Sequence, residues 1–245
     1  MIEFTAEPKC SADPRARKVA DYVEEFFSRI GVEAVVRVKV HCTCTFDEEN
    51  LLALIDAKYP LSHEAFENVP TIHVCLDALG NPSEDVLKAL AYHEAAHSLL
   101  HGSIGWYVVD GGPWLEALRR RYGSAWAAYT YVLSVLLKDL MVVRFLASRG
   151  LWAEVKSYAE FCASEARDLD PEHPLDKLML AKLAVPFSVL PDAEVERLLA
   201  GLKSFQKSFI VKISRALRDF STDNVNVSNF TEAMVELSRA LGTLL

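Results

Sequence analysis

A change in hydrophobic periodicity near residue 112 limits this chain more than any other feature. Upstream, two stretches alternate apolar with polar residues or are rich in β-branched types: Val32 to Phe46 (VEAVVRVKVHCTCTF) and Thr71 to Leu76 (TIHVCL). Both read as strands. Downstream, no strand pattern survives. Apolar residues recur at helical spacing over 113–122, 124–149, 151–169, 175–190, 192–202, 204–220 and 230–245, punctuated by Gly123, Gly150, Pro171, Pro174, Pro191 and Gly201. Pro186 is expected to bend or end one of these helices.

The upstream part adds two helices. Asp13 to Ile30 places Val19, Tyr22, Val23, Phe26, Phe27 and Ile30 on one face, with Gly31 as the stop. A second helix begins after Ser83, a suitable N-cap followed by Glu84 and Asp85, and runs to Gly102. Asp47 to Ala57 is read as a short helix and Pro60 to Asn68 as loop. The expected fold class is therefore α+β, mostly α. A small N-terminal sheet packs on the second helix (residues 1–112), and an α-helical part follows (residues 113–245).

Apolar residues make up 51% of the 245, and 26 basic against 34 acidic residues leave a net charge of −8. An acidic total gives no support for a nucleic-acid partner. The apolar run from Ala125 to Leu137 is too short to span a bilayer before Lys138 and Asp139 interrupt it, so no membrane partner is expected. Five thinly spread cysteines and an N-terminus without an apolar core suggest a cytoplasmic protein with no disulfide scaffold.

The second helix carries His93-Glu94-Ala95-Ala96-His97. Residues four apart lie about 40° apart around a helix and one turn up. His93 and His97 can thus present both rings to one point, as zinc ligands do. Glu94, about 100° round from His93, is placed to act on a water beside the metal rather than to bind it. The flanks, LAY before and SLL after, contain neither charge nor proline.

With this motif the chain resembles the zincin metallopeptidases over roughly residues 13–102. The resemblance implies His93 and His97 as ligands of one Zn2+, Glu94 as catalytic acid and base, and a peptide or protein substrate. It also implies an edge strand beside the active-site helix, and Thr71–Leu76 is the candidate. The third histidine of the metzincin pattern is missing, because Leu100 and Ser103 hold the expected Gly and His positions. A gluzincin-like arrangement would draw an acid from a later helix. Asp139, set among apolar residues, is the foremost candidate, with Glu116, Asp110 and Glu154 as alternatives. An ion pair with Lys138 or Arg144 is the plainer explanation of Asp139. The motif helix is also similar, distantly, to the compact zincin domain of regulator-cleaving peptidases of the IrrE/ImmA type.

His101 continues the four-residue spacing but lies about 12 Å along the axis from His93, too far to share an ion with it. It is expected near the site as a supporting or helix-capping residue. Tyr107, in the Gly-rich stretch GSIGWYVVDGG, is a candidate for oxyanion stabilisation or for packing. His41, Cys42, Cys44, His73 and Cys75 lie on the two strands and would form a second metal site only if those strands pair. The expected activity is zinc-dependent peptide hydrolysis. The competing reading is an inactive zincin-like binding or regulatory module whose metal is structural or absent.

Overall fold

A computed structural model describes residues 1–44 and 60–242 of the chain. The expected helix at Asp47–Ala57 lies outside them. The protein is α+β and mostly helical, and it divides into two units, Met1–Val108 and Val109–Leu245.

The first unit is built on a four-stranded sheet. β1 (Ile2–Ala6), β2 (Val36–His41), β3 (Leu61–Glu64) and β4 (Thr71–Cys75) stand in the order β1-β2-β4-β3. The first three strands in that order run parallel, and β3 is antiparallel to β4. Helix α1 (Pro14–Ile30) makes the crossover from β1 to β2, the connection parallel strands require. The Asp13 side chain accepts a bond from the Arg15 amide to start α1, and Gly31 ends it at φ +70°. After β4 come a single turn, α2 (Leu76–Leu79), and the motif helix α3 (Glu84–Leu100). Ser83 Oγ accepts from the Val86 amide at the start of α3.

Period-2 alternation sets the two faces of the sheet. Val36, Val38, Val40, Ile72 and Val74 are buried and point inward, where α1 and α3 supply Val19, Val23, Phe26 and Tyr92. Tyr92 packs edge-on against Phe26 with ring centroids 5.3 Å apart, so it belongs to this core. Helix α3 is buried on all sides from Leu87 to Ser98 apart from Lys88, which fits its nearly uniform apolar character.

Four expectations are corrected here. Thr71–Cys75 is an interior strand with neighbours on both sides, and the edge belongs to Leu61–Glu64, which the sequence presents as loop. Four residues after Pro60 are too few to display an alternation. The strand Val32–Phe46 is shorter than expected, at Val36–His41. Four cysteines form the bridges Cys10–Cys42 and Cys44–Cys75, and Cys162 alone stays free and buried. Sequence separations of 32 and 31 disguise this pairing, because strand order rather than spacing brings the partners together.

The second unit is helical throughout its described residues: α4 (Pro113–Tyr122), α5 (Trp126–Ser148), α6 (Trp152–Glu165), α7 (Pro174–Leu183), α8 (Asp192–Leu198), α9 (Ser204–Asp219) and α10 (Phe230–Leu241). Pro186 falls in a 3-10 turn, Val185–Ser188, just past the end of α7. Helix α5 buries Leu133, Leu136, Leu137, Leu140, Val142 and Val143. No helix among the described residues is long and apolar enough to cross a membrane.

Candidate metal centre

His93 and His97 are buried one turn apart on α3, with 2% and 7% of their surface exposed. Their Nε2 atoms face each other across 3.1 Å. Two nitrogen ligands on a tetrahedral ion at about 2.0–2.1 Å would stand roughly 3.3 Å apart. The pair could therefore share a metal ion with a few tenths of an ångström of movement. Three groups of His, Cys and carboxylate side chains among the described residues could hold a cation, and one of them contains both histidines.

The far side of the His97 ring is also organised. His97 Nδ1 meets His101 Nδ1 at 3.0 Å. His101 is fully buried, caps the C-terminus of α3 through its amide to the His97 carbonyl, and stands edge-on to Trp106 at 4.8 Å. A ligating histidine commonly hands its other nitrogen to such a partner, which fixes its tautomer and orientation. Glu94 follows His93 on the same helix and is 8% exposed.

One residue at this site was hidden in the sequence. His63, on the inner face of edge strand β3, lies parallel to His97 with ring centroids 5.8 Å apart and planes 14° from parallel. The Tyr107 hydroxyl meets His63 Nδ1 at 2.7 Å. Tyr107 itself sits in a 3-10 turn, Ile104–Tyr107, and touches the exposed Phe66 ring at 5.1 Å. The signal for His63 was its inward parity with buried Leu61, legible only once β3 is known to be a strand.

The acids considered as third ligand all belong to the second unit. Asp139 is 2% exposed on α5 and Glu154 is 8% exposed on α6. Asp110 and Glu116 are exposed, and Glu116 pairs with Arg119 at 2.9 Å. Burial pushes the Cys162 thiol up, and the Asp139 carboxylate adds to that rise. Arg144 turns its guanidinium to Thr222 Oγ1 and to the Leu217 and Arg218 carbonyls at the end of α9.

No protein-family model, curated protein or solved structure matches the chain. The geometry of the residues is therefore what any functional reading has to stand on.

Proposed function

We propose that the chain is a zinc-dependent metallopeptidase of zincin type. The facing Nε2 atoms of His93 and His97 carry this reading. For the third ligand the sequence offers an acid, Asp139 foremost. Bound zinc would polarise the scissile carbonyl and make a coordinated water acidic. Glu94 takes the proton of the attacking water and passes it to the leaving amine. His101 holds the His97 ring in one tautomer. Tyr107 and His63 stand at the side of the histidine pair, where a donor could meet charge developing on the substrate oxygen.

Edge strand β3 offers a place for an extended peptide, since no further strand covers its outer side among the described residues. The two disulfides favour an oxidising compartment over the cytoplasmic location suggested by cysteine spacing.

The deciding experiment compares zinc content and hydrolysis of a quenched fluorescent peptide library for three proteins. Wild type should hold zinc and cleave. Glu94→Gln should keep the zinc and lose activity by at least about 100-fold. His97→Ala should lose both. Hydrolysis unchanged in Glu94→Gln would overturn the mechanism. Zinc without any cleavage by the wild type would favour the binding-module reading instead.

A further inference from the structure

The outer face of the sheet carries a second pair of facing imidazoles. His41 Nε2, at the end of β2, stands 2.9 Å from His73 Nδ1 on β4, and the two rings stack 16° from parallel at 5.2 Å. The opposite nitrogens both face carboxylates. His41 Nδ1 is 3.4 Å from Glu7 Oε1, and His73 Nε2 is 3.5 Å from Glu64 Oε1. The four side chains thus form a line from the residue after β1 across β2 and β4 to β3, carboxylate to imidazole to imidazole to carboxylate.

The proton count makes this line informative. A neutral imidazole has a single N–H. If each ring gives that hydrogen to its own carboxylate, both inner nitrogens present bare lone pairs to each other at 2.9 Å. That arrangement is repulsive unless something positive lies between them. Glu7 and Glu64 then play the part of the carboxylates that back metal-bound histidines and raise their basicity. Lys39, the strand partner of His73, opposes a second cation, and the two carboxylates offset it. The nearby sulfurs are engaged in Cys10–Cys42 and Cys44–Cys75, so they do not compete as thiolates.

We infer that His41 and His73 form a second divalent-metal site, backed by Glu7 and Glu64, for a borderline ion such as Zn2+ with water completing its coordination. Imidazole suits such ions, and side-chain exposures of 35% and 29% leave room for the water. The inference is independent of the buried centre and of peptidase activity.

The test is equilibrium dialysis of the full chain, without reductant, against Zn2+ over a range of concentrations. His97→Ala should still take up the outer ion. His73→Gln and His41→Gln should each lose that equivalent and retain the inner one if the buried centre is real. Glu64→Gln, on the edge strand, should weaken the outer equivalent about tenfold while leaving the histidines in place. Unchanged uptake in both His73→Gln and His41→Gln would overturn the site. So would uptake appearing only after reduction, which would point to thiolates, or no outer uptake at all, which would mean that the two rings share only a proton.

Discussion

His63 lies nearly parallel to His97, ring centroids 5.8 Å apart, while its Nδ1 meets the Tyr107 hydroxyl at 2.7 Å. That contact reaches from the edge strand to the 3-10 turn beyond α3, and it ties the orientation of one imidazole beside the candidate metal to a single hydroxyl. Tyr107→Phe keeps the ring and removes the bond. Under the proposed chemistry, peptide hydrolysis should fall about tenfold with zinc content unchanged. Steady-state kinetics alongside elemental analysis decide it, and an unchanged kcat would remove Tyr107 and His63 from the chemistry.

The contact between His97 Nδ1 and His101 Nδ1 makes a separate prediction. His101→Phe fills the same buried space without a ring nitrogen. Zinc should bind at least about tenfold more weakly, measured by chelator competition. Equal affinity would mean that His101 serves only as the helix cap.

Gly102 follows the cap, and a Cβ there would meet the Ser98 carbonyl oxygen at 2.5 Å and Pro70 Cγ at 2.9 Å. Neither atom can yield cheaply. Gly102→Ala should cost about 1–3 kcal/mol, read from denaturant unfolding. A loss within error would show that the end of α3 can shift without resistance.

Cys10–Cys42 connects the segment after β1 to the end of β2. Opening it with Cys10→Ser should destabilise the chain by about 2–4 kcal/mol, because the unfolded state regains the freedom of the loop. Thermal melts of the variant and of the reduced wild type should both fall. A variant melting with the oxidised wild type would argue that the bridge does not form.

In the second unit, Arg197 and Lys156 hold the Glu194 carboxyl down to about 2. A depressed pKa gives stability that is present above the ordinary carboxylate range and lost as pH falls through the folded value. The carboxylate is half-buried at the surface and screened by solvent, so the effect is small. Glu194→Gln should melt slightly below wild type at pH 6, and the gap should close between about pH 4.5 and pH 2. A gap that persists at pH 2 would mean that the difference comes from packing rather than charge.

The motif helix was readable because several signals coincide there: the Ser83 cap, the acidic first turn and a four-residue spacing of histidines. The helices after Gly112 were readable for the same reason, with glycines and prolines marking their ends. Strand β1 was not legible because five residues, of which Ile2, Phe4 and Ala6 are only partly buried, give too weak an alternation until the ladder to β2 forms. Strand β3 was missed for a physical reason: Leu-Ser-His-Glu shows one inward pair, and only the ladder to β4 makes it a strand. The cysteine pairing and the facing His41–His73 pair arise from sheet order, which local periodicity does not encode.

Adjacent residues of β3 serve opposite sides of the sheet. His63 faces His97 on the inside, and Glu64 faces His73 on the outside. Because a strand alternates strictly, a one-residue insertion just ahead of Leu61 that slid the pairing with β4 would exchange the two directions at once. Both histidine pairs would lose their support in the same event, so length changes before this short strand should be tolerated far less well than substitutions within it.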